Sequence, residues 1–236
     1  MPLTKQSKFS VWAGDVVGLI YPNQCAACGG KMMRQEKVIC TGCLAEMPLT
    51  RYELDTENPV SQIFWGRVRI EGAISLFHFR KNSRFQHLLH QLKYKGRKDV
   101  GVELGRQLGF KILPLLKKND ISLIVPVPLH PRRERKRGYN QAGMIAKGIS
   151  EATGIPTRDD VVIRNVATLT QTHKSRLERW DNVENIFSVK DQGIIKNAHI
   201  LLVDDVVTTG ATLEACAHTL LQNDGTKVSI ATLAQA

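Results

Sequence analysis

Residues 200–212 read Ile200-Leu-Leu-Val-Asp204-Asp205-Val-Val-Thr208-Thr209-Gly210-Ala211-Thr212, and this stretch decides the fold prediction for the 236-residue chain. An apolar strand runs into two adjacent carboxylates, and a loop of threonine and glycine then opens a helix. The first turn of a helix has unpaired N–H groups and lies at the positive end of the helix dipole, so it is an anion site. The pattern predicts a phosphate-binding loop whose residues are Thr208, Thr209, Gly210, Ala211 and Thr212.

Asp204 and Asp205 indicate that the ligand contains more than a phosphate group. Two carboxylates repel a phosphate, but they accept hydrogen bonds from neighbouring hydroxyl groups of a sugar. The ligand indicated is a ribose 5-phosphate. The alternative is a purely structural strand, loop and helix, although charged side chains at a strand end serve no packing purpose.

Short apolar runs alternate with helical spacing through the rest of the chain from about residue 66. This alternation predicts crossover units and an α/β fold with a mostly parallel sheet flanked by helices, in which ligands bind beyond the carboxyl ends of the strands. We expect chemistry in the loops after Val127, Ile163 and Val203. The predicted strands are 68–79, 121–127, 161–163, 199–203 and 228–233, and the predicted helices are 10–20, 85–92, 100–117, 139–152 and 211–222.

Four cysteines near the N-terminus form two close pairs, Cys25 with Cys28 and Cys40 with Cys43. Two C-x2-C pairs supply four thiolates, which complete the tetrahedral shell of a structural Zn²⁺ and leave no ligand position open. Redox-active cysteines are the alternative. We predict a small zinc-ribbon-like module with its preceding helix over residues 1–60, and the α/β domain over 61–236. The fifth cysteine, Cys216, is expected to be a buried core thiol.

A second polar stretch, residues 126–142, follows the predicted strand that ends at Val127. It contains Arg132, Arg133 and Arg137, and guanidinium groups bind phosphate oxygens two at a time. A diphosphate suits this cluster. The alternative for the neighbouring Arg135 and Lys136 is a solvated charged turn.

Together these motifs resemble known families. Residues 200–212 are similar to the phosphoribosyl pyrophosphate (PRPP) motif of type I phosphoribosyltransferases, which implies that Asp204 and Asp205 contact the ribose and that residues 208–212 hold the 5-phosphate. Residues 126–142 resemble the signature of the ComF family, and with the cysteine module the likeness spans nearly the whole chain. This resemblance places the arginine cluster at the pyrophosphate loop and makes Mg²⁺ a companion of PRPP.

The same resemblance implies ligand contacts for basic residues in two further segments. Residues 168–187 are similar to the loop that closes over PRPP, which makes Arg176 and Arg179 candidates to hold the leaving group. Lys93 lies in a basic family segment, where it is either a phosphate or nucleic-acid contact or a favourable cation at a helix C-terminus with a glycine cap.

The formal net charge of +11 indicates a polyanionic partner, either nucleic acid or a ligand with several phosphates, although a merely basic surface is the alternative. No run approaches the roughly 20 apolar residues of a membrane span, and no signal peptide is evident, so we expect a cytoplasmic protein without a membrane span. Tyr94, Tyr139 and Trp180 have basic neighbours and are candidates to stack on bases.

The ComF resemblance implies a PRPP-fold protein that binds single-stranded DNA and supports DNA uptake in natural transformation, with proteins of the uptake machinery as possible partners. An active phosphoribosyltransferase, moving ribose 5-phosphate from PRPP to an acceptor with Mg²⁺, is the first alternative. A sensor that binds PRPP without turnover is the second. No acceptor pocket and no pair of nucleophile and base is evident from the sequence.

Overall fold

The computed structural model describes residues 23–165 and 186–236, without the side chains of 116–119. The chain divides into two compact units, one up to Met47 and one from Pro48 onwards. The helix expected over residues 10–20 lies outside the described residues. The domain boundary predicted at residues 60 and 61 stays a prediction, and in the structure residues 48–60 belong to the second unit.

The first unit is a compact knuckle around its cysteines. Backbone hydrogen bonds join Cys25 N to Gly30 O and Ala26 N to Val38 O, both at 2.9 Å. Helix α1 (Thr41–Ala45) is capped by Cys40, whose sulfur accepts from Cys43 N. Gly29 has a φ of +73°, which a glycine adopts without strain.

The second unit is built on four parallel strands in the order β1-β6-β5-β2. Strands β3 and β4 form a separate antiparallel pair. The strands are β1 (Gly72–His78), β2 (Leu123–Pro126), β3 (Val162–Arg164), β4 (Phe187–Val189), β5 (His199–Val207) and β6 (Lys227–Gln235), and the helices are α2 (Pro59–Gln62), α3 (Arg84–Tyr94), α4 (Lys98–Asn119), α5 (Pro131–Arg137), α6 (Gln141–Thr153), α7 (Gln192–Ile195) and α8 (Ala211–Leu221).

The central strands are buried on both faces, as continuous apolar runs in a parallel sheet require. Residues Ile200–Val203 of β5 are all fully buried. Their register places Leu202 beside Ile230 of β6 and Val125 of β2. One face of the sheet packs against α8 through Leu213 and other buried residues, and this packing fixes where the carboxyl end of β5 meets the start of α8.

Helices α4 and α6 pack very closely on one side of the sheet. A Cβ added at Gly148 would collide with the carbonyl oxygen of Val102, and one added at Gly105 would collide with that of Ile145. Only glycine permits such a close approach of two helix backbones. This packing holds α6, and with it the loop that leads into α6, against the sheet.

The structure corrects three details of the predicted elements. Strand β5 extends to Val207, so Asp204 and Asp205 lie within the strand rather than after it. The short strand after Val161 pairs with β4 and is not part of the parallel sheet. The arginine cluster, which the sequence analysis placed in a loop, forms helix α5, with Pro131 at its first position and His130 capping Arg132 N.

Candidate functional site

A polar cavity lies at the carboxyl end of the parallel sheet, where such folds bind their ligands. Strand β5 contributes two acids to it, and α8 contributes Thr212 from its first turn. The loop after β2, the start of α6 and several cations complete the wall. The lining residues are Lys93, Val127, Pro128, Leu129, Arg133, Arg137, Asn140, Gln141, Ala142, Arg164, Asp204, Asp205 and Thr212.

Asp204 occupies an environment that favours its protonated form. Desolvation of the carboxyl group and the neighbouring charge of Asp205 raise the pKa of Asp204 to about 7. Donation from Asp205 N to Asp204 Oδ1, at 2.8 Å, and the positive charges of Lys93 and Arg164 oppose this shift. A hydroxyl-bearing ligand that donates to this carboxylate would stabilise its ionised form.

Asp205 is paired with a lysine from α3. Lys93 Nζ lies 3.0 Å from Asp205 Oδ2, and both side chains are largely withdrawn from solvent. The helix that carries Lys93 ends one residue later, and Gly96 follows it with a φ of +69°. The basic segment is therefore a helix C-terminus followed by a glycine. Lys93 also lines the cavity. A helix-terminal cation and a phosphate contact are thus compatible interpretations of Lys93.

Residues 208–212, the predicted phosphate loop, pack against the turn that follows α2. Gly210, at the start of α8, has a φ of +75°, and a Cβ there would lie 2.8 Å from Ile63 Cγ2 and 2.9 Å from Phe64 Cε1. Arg67 Nη1 donates to Thr209 O at 2.6 Å, and Arg67 also pairs with Glu214. Thr208, Thr209, Ala211 and Thr212 are exposed around this turn.

Helix α5 presents two of its three candidate arginines to the cavity. Arg133 and Arg137 are four residues apart and so lie on one face of the helix. Arg132 is exposed on another face and, although it is among the described residues, it lines neither this cavity nor the adjoining cleft.

A second, more open basic cleft adjoins the cavity. It is lined by Lys93, Tyr94, Gly96, Arg133, Lys136 and Arg137. Lys93, Arg133 and Arg137 thus line both cavities and form their common wall. The dense positive charge makes the cleft attractive to phosphate groups.

Residues 139–141, which join α5 to α6 and open α6, support the cavity. Asn140 Oδ1 accepts from Ala142 N and caps α6, while its Nδ2 donates to Val127 O at 3.0 Å. Gln141 Oε1 accepts from Arg137 Nη1 at 2.6 Å. Tyr139 is buried and its hydroxyl donates to Leu92 O, so the expectation that Tyr139 stacks on bases is wrong.

Two basic residues of the site were missed by the sequence analysis. Arg164, at the end of β3, lines the cavity, and desolvation together with the nearby Arg133 lowers its pKa. Arg67 donates to the predicted phosphate loop, at Thr209 O, from a segment in which the sequence shows no motif. The position of Arg164 directly after a predicted strand could have indicated its role. No feature of the sequence indicated a role for Arg67. Arg176, Arg179 and Trp180 lie outside the described residues.

The four cysteines of the first unit converge. Their sulfur atoms all lie within 4.8 Å of one another, so this cluster could hold one metal ion. Backbone N–H groups point at the sulfurs, including Cys40 N to Cys25 Sγ at 3.3 Å and Gly30 N to Cys28 Sγ at 3.4 Å. Four thiols leave no ligand position for a substrate, so the arrangement fits a structural centre.

The pKa values of Cys25 and Cys40 shift in opposite directions. At Cys40, donation from Cys43 N is outweighed by desolvation and by side-chain hydrogen bonds with Cys25 and Cys28, so its pKa is raised. Desolvation opposes ionisation of Cys25, but N–H donation from Cys40, Cys28 and Ala27 outweighs it and lowers the pKa of Cys25 to about 7. Cys216, in contrast, is fully buried in α8, and burial raises the pKa of its thiol. The prediction of a core thiol at Cys216 is confirmed.

Across residues 23–165 and 186–236, no helix has both the length and the apolar character needed to cross a bilayer.

Known proteins with similar sequences indicate the family of this chain. A phosphoribosyl transferase domain model matches residues 135–236. The DNA utilization protein YhgH of Escherichia coli K12 is 34% identical over 146 residues, which cover 61% of this chain and 63% of YhgH. This chain therefore matches less than two thirds of the length of that relative.

Two relatives match along most of their length. Competence protein F of Haemophilus influenzae is 27% identical over 232 residues, covering 90% of this chain and 97% of that protein. Competence protein ComFC of Bacillus subtilis is 26% identical over 210 residues, covering 86% and 81%. Among solved structures, the glutamine PRPP amidotransferase of B. subtilis is 23% identical, with a TM-score of 0.42 and coverage of 60% of this chain and 30% of that chain. The N-terminal four-cysteine cluster, the helix-flanked parallel sheet, the domain match and these relatives together support a ComF-family protein of the type I phosphoribosyltransferase superfamily.

Proposed function

We propose that this protein binds PRPP, or a similar phosphorylated ribose, at the carboxyl end of its parallel sheet, and that it binds single-stranded DNA in support of DNA uptake. The observation that carries the first part is the convergence of Asp204, Asp205 and Thr212 with Lys93 and the arginines of the cavity. Carboxylates beside a helix N-terminus suit a sugar phosphate, and the cations suit its diphosphate.

The assignment within the cavity follows the chemistry of each side chain. Asp204 and Asp205 accept from the ribose hydroxyls, and residues 208–212 donate to the 5-phosphate. Arg133, Arg137 and Lys93 face the diphosphate, with Arg164 as a further cation beside Asp204. From the family resemblance alone, we propose that Arg176 and Arg179 also contact the diphosphate leaving group.

Mg²⁺ is the proposed companion of PRPP. Two carboxylates are too few to hold this ion by themselves, but Mg²⁺ is commonly bound by one or two carboxylates together with substrate phosphates. Asp204 and Asp205 fit that pattern. When bound, the ion neutralises phosphate charge.

Binding of PRPP with Mg²⁺, measured by calorimetry, tests the site. We expect the double variant Asp204→Asn with Asp205→Asn to lose at least about tenfold in affinity, because it removes charged acceptors without changing side-chain volume. Asp159→Asn, an exposed acid elsewhere in the same unit, is the matched control. Unchanged affinity in the double variant would refute the assignment.

The DNA part of the proposal is supported by charge and by relatives. The chain has a net charge of +11, and the cleft beside the cavity is lined by four cations. Competence protein F and ComFC, by their names, are proteins of competence. We propose that this chain also acts in competence. It would do so in the cytoplasm, with proteins of the DNA-uptake machinery as partners.

Oligonucleotide binding across a salt series tests this part. Release of counterions from several phosphates should give a steep negative slope of log affinity against log salt. Lys136→Ala should lower the slope by about one. Lys227→Ala, an exposed lysine at the amino end of β6 and so at the opposite edge of the sheet, should leave it unchanged. Absence of binding at low salt would reject DNA as a ligand.

A second candidate function is phosphoribosyl transfer, and the presence of both acids and cations in the cavity favours it. In that reaction the bond from C1 of the ribose to diphosphate breaks, a bond from C1 to the acceptor forms, and diphosphate leaves. Arg133 and Arg137 would stabilise the leaving charge. Release of diphosphate from PRPP in the presence of an acceptor distinguishes this enzyme from a PRPP-binding sensor.

For the cysteine cluster we propose structural Zn²⁺, held by Cys25, Cys28, Cys40 and Cys43. The donor set, four thiols within 4.8 Å of one another, fits a tetrahedral Zn²⁺ shell. The same geometry makes redox chemistry a poorer explanation, since all four sulfurs, and not just one pair, converge.

A further inference from the structure

We propose that the solvent face of α3 is a base-stacking platform for single-stranded DNA, and that the strand passes from it into the basic cleft. This inference rests on the proposed DNA binding and places it on particular side chains. The observation that carries it is a row of ring contacts formed by His87, His90, Tyr94 and Arg137.

The row is continuous and lies on one face of the helix. The ring centroids of His87 and His90 are 6.3 Å apart, and those of His90 and Tyr94 are 5.0 Å apart. Arg137 continues the row, with its guanidinium 5.4 Å from the Tyr94 centroid. Positions i, i+3 and i+7 of a helix share one side, so the three rings form a stripe about 10 Å long at 1.5 Å per residue.

The rings are exposed, so their faces are accessible to a ligand. Tyr94 is 61% exposed, and His87 and His90 are also exposed. The opposite face of α3 packs into the core through Phe85, Leu88, Leu89 and Leu92. The platform is therefore carried by a rigid helix, and its rings contribute nothing to the apolar core.

Charge identifies the partner. The stripe ends at the cleft lined by Lys93, Arg133, Lys136 and Arg137, which attracts a phosphate backbone. Aromatic rings alongside a positive groove are the combination that binds single strands without sequence preference, since every base has a face to stack. At a base spacing of about 3.4 Å, the stripe accommodates roughly two or three bases.

A duplex does not fit this arrangement, because its bases are already paired and stacked inside the helix. Phosphate contacts alone give no preference for unpaired bases, and they favour the more densely charged duplex. A stacking platform instead predicts that the aromatic residues matter only for the single strand.

The test measures binding of a fluorescent oligothymidine and of a duplex of equal length to the full chain. We expect the double variant His90→Leu with Tyr94→Leu to lose at least about fivefold in single-strand affinity, while its duplex affinity stays within twofold of wild type. Its salt slope should match wild type, because stacking releases no counterions. Leucine retains apolar bulk at these exposed positions, and circular dichroism verifies that the variant is folded.

Trp65→Leu is the matched control. Trp65 is also an exposed aromatic, 60% accessible, beside Arg67 and Arg69 in a groove that shares no lining residue with the cleft. We expect its substitution to leave oligothymidine affinity unchanged.

Three results would overturn the platform: wild-type affinity in the double variant, an equal loss for duplex and single strand, or a loss confined to Trp65→Leu. Failure of the wild-type protein to bind oligothymidine at low salt would reject the proposed DNA binding itself. The first three results leave that binding intact, so the two failures are distinguishable.

Discussion

At the scale of single residues, Asp204 lies in surroundings that disfavour its own charge. Its pKa is raised to about 7 by desolvation and by the charge of Asp205. In the unfolded chain this carboxyl group ionises near its ordinary value of 3.8. Between these two pH values the folded state binds more protons, so the group's contribution to stability is full below about pH 4 and is lost as pH rises towards 7.

We therefore predict that Asp204→Asn stabilises the protein at neutral and alkaline pH while it weakens ligand binding. The unfolding free energy should rise by about 1 kcal/mol or more at pH 8, and the gain should be smaller at pH 5. Urea unfolding of both proteins at the two pH values measures the effect.

Asp159→Asn, an exposed carboxyl in the same unit, serves as the control and should change little at either pH. An Asp204→Asn protein that is no more stable than wild type at pH 8 would contradict the proposed burial of charge. Such exchange of stability for function is typical of binding sites.

At the scale of elements, the junction of β5 and α8 depends on packing from a third segment. Gly210 combines a positive φ with close contact to Ile63 and Phe64, and Phe64 is fully buried. Arg67 from the same segment donates to Thr209 O. The conformation of the predicted phosphate loop therefore depends both on its own sequence and on residues about 145 positions earlier in the chain.

We predict that Gly210→Ala destabilises the second unit by about 2–4 kcal/mol, since left-handed backbone costs about 1–2 kcal/mol and the added methyl group must displace core side chains. The midpoint of urea unfolding measures this loss. PRPP affinity should fall as well, because the loop shifts.

Gly154→Ala is the comparison. Gly154 also has a positive φ, of +77°, but a Cβ there meets nothing within 4 Å. Its substitution should cost only the backbone strain, about 1–2 kcal/mol. Equal losses in the two variants would show that the contact with Phe64 is unimportant.

At the scale of the whole molecule, the ligand cavity and the basic cleft share Lys93, Arg133 and Arg137. In the proposed binding modes, the diphosphate of PRPP and the phosphates of a DNA strand use the same cations. Two anionic ligands that use one set of cations oppose each other, and the coupling is reciprocal.

We predict that saturating PRPP with Mg²⁺ weakens oligothymidine binding by about tenfold, within the usual range of coupling energies. Titration of the oligonucleotide at fixed PRPP concentrations measures the shift. Ribose 5-phosphate lacks the diphosphate and should have a smaller effect. Additive, independent binding of the two ligands would rule out the shared wall as their common site.

The proposed metal centre is considered at the same scale, because its four ligands come from two separate parts of the first unit, residues 25–28 and 40–43. We predict about one equivalent of zinc per chain, and its loss in Cys28→Ser. Elemental analysis measures the metal, and hydrogen exchange over residues 23–47 should become faster once the metal is removed. Full zinc content in Cys28→Ser would contradict the four-thiolate centre.

The sequence alone predicted those features that depend on the pattern within a single segment. The alternation of apolar strands and helices predicted the parallel α/β sheet, because buried strands and amphipathic helices have different periodicities. The C-x2-C pairs predicted convergence of Cys25, Cys28, Cys40 and Cys43, because each pair is short enough to direct both sulfurs to one point. The predicted acids and Thr212 meet at one cavity because a single strand and helix carry them.

Tertiary structure alone decided which distant residues join that cavity. Lys93 and Arg164 reach the acids, and Arg67 reaches the phosphate loop, only because the sheet order and helix packing bring separate segments together. Burial likewise removed Tyr139 from the exposed aromatic candidates. The physical reason is that local sequence encodes periodicity and backbone preference, whereas contacts between distant segments depend on how the whole core packs.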